Sequence, residues 1–380
     1  MKKILFGITS LTLGGAERVL VDLANELSKK YEVTIMTIYA KGELKNQLSE
    51  KVKLKSLEQK SYLELSNFQK HFGMPLKILL EKSRIYKNKI KGDYDVEIAF
   101  LEGPITRLFS TQNVKTKKIA WIHNDISQVF GKGIKAKLKK NLDEKIYSKF
   151  ETLVFVSKDN LKNFEKTYPD IKNNKEVIYN YINKAQVIEK AKEKQKEKFD
   201  TKFINFVTVA RLVPQKGIDR LIKVHSKLLK DGLFHNIYVI GDGPEKEKLQ
   251  ELIKKENVDE TFNLLGKKEN PYPYIKNADY FCLLSQFEGY GMVLEEAKIL
   301  GKPIIITNTA AREAVENYGN AKIVENTEQG IYDGIKEIIK NYNLKEENDS
   351  LKKKLEYNNE FIIEQIEDLI GNSNENGEKK

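Results

Sequence analysis

Residues 2–39 decide the fold class, because they hold a strand, a helix and a second strand in direct succession. The segments are KKILFGIT at 2–9, GGAERVLVDLANELSKK at 14–30 and YEVTIMTIY at 31–39. The outer two are rich in β-branched, aliphatic and aromatic residues, whereas the middle one repeats its apolar residues at helical spacing. This succession predicts a βαβ unit with parallel strands.

The same alternation continues along the chain with one interruption, the polar stretch KAQVIEKAKEKQKEKFD at 184–200. Since 380 residues exceed what one core usually organises, we predict an α/β protein with two doubly wound, Rossmann-like domains facing each other across a cleft. The predicted parts are a first domain at 1–183, a polar linker at 184–200, a second domain at 201–355, a C-terminal helix at 356–370 that packs back towards the first domain, and a disordered tail at 371–380.

The composition excludes several kinds of protein. The single cysteine, Cys282, rules out an internal disulfide and fits a reducing compartment. No apolar stretch approaches the ~20 residues of a membrane span. The four histidines are scattered, so no metal site of known spacing is present. P-loop and GxSxG motifs are also missing.

The positive charge is concentrated in the first half of the chain. Residues 1–200 hold 40 Lys and Arg against 25 Asp and Glu, whereas residues 201–380 hold 26 against 30. This asymmetry indicates an anionic partner for the first half, either a membrane surface, a phosphate-bearing acceptor or nucleic acid. The alternative is a lysine-rich composition that serves only solubility.

The stretch SQFEGYGMVLEEAKILGKP at 285–303 joins a predicted strand to a helix. Gly289 and Gly291 allow the backbone to approach a ligand, and N–H groups at a helix start attract phosphate. With Glu288 and Glu296 on either side to accept from sugar hydroxyls, the stretch suits a nucleotide sugar. The alternative is a tight turn with capping carboxylates.

A helical wheel separates the two adjacent glutamates of this stretch. Val293, Ala297 and Leu300 form an apolar stripe, with Glu296 at its edge and Glu295 on the opposite side. We therefore predict that Glu296 is pressed against the protein and needs a partner, because unpaired burial of a carboxylate is costly. Glu295 is predicted to be solvated and replaceable.

Three further strand-to-helix loops carry candidate residues. In ARLVPQKGID at 210–219, Arg211 and Lys216 are two cations that could stabilise a leaving diphosphate, or an ordinary exposed pair. In TLGGAER at 12–18, Gly15 permits close backbone approach, although the motif is not GxGxxG.

His123, in AWIHNDIS at 120–127, ends a predicted strand of the first domain. It could bond a sugar hydroxyl or a reacting group, with Asp125 to orient it, or serve as a structural histidine at a strand end.

These residues resemble a known family. The chain is similar to retaining glycosyltransferases of the GT-B fold, in particular glycosyltransferase family 4, whose signature contains two glutamates separated by seven residues. Glu288 and Glu296 have that spacing. The resemblance covers nearly the whole chain and rests on LGGAERVLVDLANEL, IHND, VIYNYIN, VARLVPQKGID, VIGDGPEKEKL and EGYGMVLEEAKILGKPII.

The resemblance implies a role for each candidate residue, with Glu288 and His123 as the catalytic pair. Glu288 would contact the transferred hexose, and His123 would contact the sugar and line the acceptor side. The implied donor-binding set is Gly15 at a phosphate, Arg211 and Lys216 at the diphosphate, the backbone of Gly289, Tyr290 and Gly291 beside them, Glu288 at the hexose, and Glu296 at the ribose.

The implied reaction transfers a hexose or N-acetylhexosamine from a nucleotide diphosphate, expected to be UDP, with retention of configuration. The expected acceptor is a polyprenyl-diphosphate-linked oligosaccharide or another membrane-associated saccharide. We expect no metal, no cofactor and no nucleic-acid partner. The basic first domain is expected to attach peripherally to the anionic cytoplasmic face of the plasma membrane. Alternatives are a nucleotide-sugar epimerase on the same fold and a non-catalytic nucleotide-sugar or nucleic-acid binding protein.

Overall fold

The computed structural model of the chain describes most of its length. The described residues are 1–12, 14–61, 64–66, 68–69, 73–111, 115–124, 134–342 and 359–371. Asp125 and all but the first residue of the predicted tail at 371–380 lie outside these ranges. The chain divides into two compact units, Met1–Ile182 together with Asn359–Lys380, and Asn183–Asn358.

The first unit is built on a parallel sheet covered by helices. Its described strands are β1 Lys3–Ile8, β2 Glu32–Lys41, β3 Lys53–Ser61, β4 Val96–Ala99, β5 Lys117–Ile122, β6 Thr152–Phe155 and β7 Asn174–Val177. They lie in the order β3-β2-β1-β4-β5-β6-β7. The described α-helices of this unit are α1 Gly15–Leu27, α2 Met74–Ile85, α3 Pro104–Phe109, α4 Ile134–Tyr147, α5 Lys158–Thr167 and a C-terminal helix, Asn359–Leu369.

The second unit repeats this plan. Its described strands are β8 Ile204–Val209, β9 His235–Ile240, β10 Phe262–Gly266, β11 Tyr280–Leu283, β12 Ile304–Thr307 and β13 Ala321–Val324. They are parallel, in the order β10-β9-β8-β11-β12-β13. The described α-helices of the second unit are α6 Lys184–Lys190, α7 Ile218–Lys230, α8 Lys246–Lys255, α9 Tyr272–Asn277, α10 Met292–Ile299 and α11 Glu328–Asn341. Short 3-10 turns lie at Pro214–Lys216 and Ala310–Ala314. The C-terminal helix of the first unit, Asn359–Leu369, is labelled α12.

The strand orders fix where ligands can bind. In each sheet the chain reverses its direction of progress at one place, between β1 and β4 in the first unit and between β8 and β11 in the second. The loops that leave the carboxyl ends of such neighbouring strands diverge to opposite faces and leave a crevice, which is the usual ligand site of open parallel sheets. The loops that follow β1, β4, β8 and β11 therefore lie at the two expected ligand sites.

The polar stretch at 184–200 is not a separate linker. It begins with α6, whose Asn183 side chain caps the helix by accepting from the backbone N–H of Gln186 at 3.0 Å. Val187 and Ala191, one helical turn apart, are buried within the second unit. Further along, Glu197 pairs with Lys268. Phe199, near the end of the stretch, stacks on Tyr238 with ring centroids 4.1 Å apart, so apolar contacts as well as an ion pair hold this mostly polar stretch.

The C-terminal helix α12 belongs to the first unit. Its buried side chains Ile362 and Ile366 lie one turn apart, and Ile370 follows in the next turn. At its surface, Glu367 pairs with Lys30 of the first unit at 2.8 Å. The chain thus crosses into the second unit and returns to the first before it ends.

Two buried histidines stabilise the second sheet as neutral groups. His235 Nδ1 donates to the Leu233 carbonyl at 2.9 Å, because a carbonyl can only accept. His235 Nε2 must then accept from His225 Nδ1 at 2.9 Å, and the Thr261 hydroxyl donates to His225 Nε2 at 2.8 Å. Burial lowers the pKa of His225 to about 2 and the pKa of His235 to about 4.

Stability is therefore expected to fall as the pH drops below about 6.5, the pKa of histidine in an unfolded chain. In that range the unfolded chain binds protons that the folded protein does not, which costs about 1.4 kcal/mol for each histidine at pH 5.5. Urea unfolding at pH 7.5 and 5.5 measures the loss. A variant with both histidines replaced by glutamine should lose less between the two pH values; an unchanged loss would contradict this account.

Candidate active site

Two loops of the second unit meet at the switch point between β8 and β11. Lys216, at the end of the loop after β8, donates a hydrogen bond to Glu288 in the loop after β11. Both side chains are largely buried, with the Glu288 side chain 13% exposed. The Ser285 hydroxyl donates to the same Glu288 oxygen at 3.1 Å. The structure thus joins two residues that sequence reasoning placed in separate motifs.

Gly217 lets these loops approach each other. It has φ 63°, in the left-handed region that favours glycine. A Cβ atom at this position would lie 2.8 Å from the Leu284 carbonyl oxygen, closer than such atoms can approach. A side chain at 217 would therefore push the loop after β8 away from the loop after β11 and separate Lys216 from Glu288.

The loop after β11 ends at the start of α10. Gly291 occupies the N-cap with φ 73° and ψ 70°, so this turn also favours glycine. Among the described residues, no side chain accepts a hydrogen bond from the first N–H groups of this helix. Such groups attract anions, in keeping with the predicted role of the Gly289–Gly291 backbone near a diphosphate.

Glu296 is buried, with 8% of its surface exposed, which confirms the prediction that it is pressed against the protein. Its carboxylate accepts a hydrogen bond from the Tyr272 hydroxyl at 3.0 Å. Tyr272 starts α9 and was not anticipated from the sequence. Ribose binding by Glu296 stays a prediction.

The prediction that Glu295 is solvated is wrong. Glu295 is 1% exposed, accepts from the Tyr290 hydroxyl at 2.7 Å and lies 2.7 Å from Lys298 Nζ. Lys298 in turn donates to the Ala314 carbonyl at 2.6 Å. The helical wheel assumed that α10 has one buried side, whereas the Tyr290 ring and the Ala310–Ala314 turn cover the opposite side as well.

Arg211 is not drawn into the Lys216–Glu288 pair. Its side chain is exposed, and it forms no ion pair with any residue that the structure describes. It is the second residue after β8 and lies five positions before Lys216, so both cations belong to the same loop. Diphosphate binding by Arg211 stays a prediction.

In the first unit, Gly15 is the first residue of α1 and is exposed. Gly14 precedes it in extended conformation, and the Glu17 carboxylate lies so close that a Cβ on Gly14 would be 2.1 Å from its oxygen. Burial raises the pKa of Glu17. The structure therefore places a carboxyl group where the helix start was predicted to meet a phosphate.

His123 follows β5 and packs against Phe100, with ring centroids 4.6 Å apart. Its Nε2 atom is buried and has no hydrogen-bond partner among the described residues. Burial lowers the pKa of His123 to about 3, so the ring is neutral near pH 7. Because the ring is neutral and its Nε2 atom has no partner among the described residues, His123 is better suited to hydrogen-bond a sugar hydroxyl than to act as a proton donor.

Glu102 holds the backbone beside His123, and sequence reasoning missed it. One carboxylate oxygen accepts from the N–H groups of His123 and Asn124 at 2.6 and 2.7 Å, and the other accepts from the Asn124 side chain at 3.0 Å. Burial raises the pKa of Glu102. Since Glu102 follows β4, which is the neighbour of β5, a predicted strand order would have placed it near His123.

Neither a metal cluster nor a membrane span is found in the described parts of the chain. In those parts, no group of three or more His, Cys, Asp or Glu side chains is arranged so that it could hold a metal ion. Every described helix is too short or too polar to cross a bilayer.

Comparisons with known proteins identify relatives of the chain. Residues 189–357 match the family described as glycosyl transferases group 1. The N-acetylgalactosamine-N,N'-diacetylbacillosaminyl-diphospho-undecaprenol 4-alpha-N-acetylgalactosaminyltransferase of Campylobacter jejuni subsp. jejuni serotype O:2 is 27% identical over 368 residues, covering 91% of this chain and 92% of that protein. The uncharacterized glycosyltransferase MJ1059 of Methanocaldococcus jannaschii is 28% identical over 215 residues, 55% of this chain, which spans about half, 52%, of that relative.

Solved structures share the fold. A mutant of TarM from S. aureus, in complex with Fondaparinux, alpha-GlcNAc-glycerol and UDP, matches with a TM-score of 0.70 over 98% of this chain and 100% of that chain, at 15% identity. This likeness, together with the two parallel-sheet units, confirms the predicted fold class of two Rossmann-like domains, GT-B.

Proposed function

We propose that this chain is a glycosyltransferase that moves a sugar from a nucleotide-diphospho-sugar to a lipid-linked or other membrane-associated cell-surface glycan, a proposal supported by its relatives and its GT-B fold. The observation that carries the proposal is the meeting of Lys216 and Glu288 at the switch point of the second sheet. A cation for the diphosphate and a carboxylate for the sugar are then adjacent, as a nucleotide-sugar donor requires.

The donor is proposed to be UDP-hexose or UDP-N-acetylhexosamine, held mainly by the second unit. Lys216 and Arg211 bind the diphosphate with the N–H groups at the start of α10, and Glu296 accepts from the ribose. The UDP present in the TarM structure supports this choice of nucleotide.

The reaction is proposed to retain configuration at the anomeric carbon and to need no metal. An acceptor hydroxyl attacks on the face from which the diphosphate departs, the bond from the anomeric carbon to the diphosphate oxygen breaks, and a donor phosphate oxygen takes the proton. Lys216 and Arg211 offset the charge that develops on the leaving group. His123 hydrogen-bonds a sugar hydroxyl, and Glu288 fixes the hexose.

The function is tested by incubating the purified protein with radiolabelled UDP-sugars and a bacterial lipid extract. We expect UDP release together with label in the lipid fraction, undiminished by EDTA, and an α-linked product by NMR from an α-linked donor. Sugar isomerised without UDP release would identify an epimerase. Binding of UDP-sugars or nucleic acid with no turnover would identify a non-catalytic binding protein.

We also propose that the first unit attaches to the anionic cytoplasmic face of the plasma membrane. Three leucines of α2, Leu76, Leu79 and Leu80, are exposed on one side of the helix, and Leu80 is 74% exposed. Lys77 of the same helix is exposed and lies 3.5 Å from the Glu58 carboxylate. Exposed leucines beside lysines are typical of helices that lie in a membrane interface. The C. jejuni relative, which is named for a diphospho-undecaprenol substrate, supports a membrane-borne acceptor.

Replacing Leu79 and Leu80 with serine is expected to lower binding to vesicles that contain phosphatidylglycerol at least tenfold, because each buried leucine contributes about 1.5–3 kcal/mol. Flotation at low and high salt measures binding. The control is Phe234→Ser, which removes an exposed apolar side chain from the second unit. Equal binding to neutral vesicles, or an equal loss in the control, would contradict the proposed attachment.

A further inference from the structure

The loop that precedes Glu288 is held by side chains from four other segments. Four successive carbonyl oxygens of this loop each accept one side-chain hydrogen bond. The bonds are Arg220 to Leu284 at 2.7 Å, Thr307 to Ser285 at 2.6 Å, Asn326 to Gln286 at 2.7 Å and Gln215 to Phe287 at 3.0 Å.

These bonds form a connected set. Arg220 also donates to the Asn326 side-chain oxygen at 2.7 Å, so Asn326 accepts from Arg220 and donates to Gln286. The backbone N–H of Gln286 donates to the Gln215 carbonyl at 2.8 Å. Gln286 and Phe287 are exposed, where water could satisfy their carbonyl groups. Side-chain bonds at such positions fix geometry more than they satisfy burial.

The set leads directly to Glu288. The carbonyl that Thr307 holds belongs to Ser285, whose hydroxyl donates to the Glu288 carboxylate. Gln215, which holds the Phe287 carbonyl, is the immediate neighbour of Lys216, the ion-pair partner of Glu288. Of the two side chains that hydrogen-bond Glu288, Ser285 belongs to this network and Lys216 is next to a residue of it.

We propose that Thr307 and Asn326 are positioning residues for the donor site, which hold the loop at 284–287 so that Glu288 is in its working place before the donor binds. This inference rests on the proposed function. Catalysis by charge and position requires groups fixed within fractions of an ångström, and a misplacement of about 1 Å can cost about 100-fold in rate. Neither residue belongs to the stretch at 285–303 that carries the paired glutamates.

Thr307→Val and Thr307→Ser form the matched pair for the test. Valine keeps the shape of the buried threonine without its hydroxyl, whereas serine keeps the hydroxyl. We expect Thr307→Val to lower kcat about tenfold or more, with the KM for the donor changed less, and Thr307→Ser to stay within about threefold. Asn326→Asp should behave like Thr307→Val, since its carboxylate can accept from Arg220 but cannot donate to Gln286.

Hydrogen exchange of the backbone amides at 284–291 supplies a readout that does not need turnover. Exchange there should rise in Thr307→Val and not in Thr307→Ser. The positioning role is wrong if Thr307→Val has the amide exchange rates and the kcat of wild type. It is also wrong if Thr307→Val has a lower Tm but an unchanged kcat at temperatures well below that Tm. If wild type transfers no sugar from any UDP-sugar, the proposed function fails and the donor-site role with it, while the exchange result still decides whether these side chains hold the loop.

Discussion

Glu288→Gln is expected to lower kcat for sugar transfer about 100-fold or more, the usual cost of removing one group that stabilises developing charge in an active site. The substitution keeps the size of the side chain and removes its charge. Lys216 then loses its ion-pair partner, and the Ser285 hydroxyl faces an amide instead of a carboxylate. In the proposed reaction the sugar carries positive character as the diphosphate leaves, so a neutral group at 288 stabilises that state poorly.

Steady-state kinetics with a saturating acceptor and a varied UDP-sugar measure the effect. The donor KM should change less than kcat, because the lost interaction is stronger in the transition state than in the ground state. The control is Glu247→Gln at an exposed position of α8, which should be indistinguishable from wild type. If Glu288→Gln retained more than about half of the wild-type kcat, Glu288 would not act on the transferred sugar.

Glu295→Leu is expected to lower the free energy of unfolding by about 3 kcal/mol, the lower part of the range for breaking a buried ion pair from one side. The substitution leaves the Lys298 ammonium, whose side chain is 17% exposed, without its carboxylate, and the Tyr290 hydroxyl without its acceptor. The loss comes from these two broken interactions, since a leucine at 295 is itself compatible with burial.

Urea unfolding of three variants separates these causes. The triple variant Tyr290→Phe, Glu295→Leu, Lys298→Met removes the ammonium and the hydroxyl that bonded Glu295, and should recover part of the stability that the single substitution loses. Glu251→Leu, at an exposed position in the middle of α8, should change stability by less than about 0.5 kcal/mol. A Glu295→Leu protein as stable as the exposed control would mean that the Tyr290–Glu295–Lys298 cluster contributes nothing.

The two adjacent glutamates illustrate the limit of pattern analysis. The wheel placed Glu296 correctly, although Ala297 alone of the three stripe residues is fully buried and Val293 and Leu300 are half-buried. It failed for Glu295 because a second buried side is created by Tyr290 and Ala314, and by Lys298, which donates to the carbonyl of Ala314. A polar side chain can be buried when its partners come from elsewhere in the chain, and no periodicity records them.

The sequence by itself determined the alternation of strands and helices, the two units and the loops that carry the candidate residues. These features follow from local spacing and from turn chemistry at positions such as Gly291. Only the tertiary structure joined Lys216 to Glu288, bonded Glu102 to the backbone of His123, and brought Thr307 and Asn326 into contact with the loop before Glu288. These contacts depend on the order of strands within each sheet. Hydrogen bonds between residues that are distant along the chain produce no periodic pattern in the sequence.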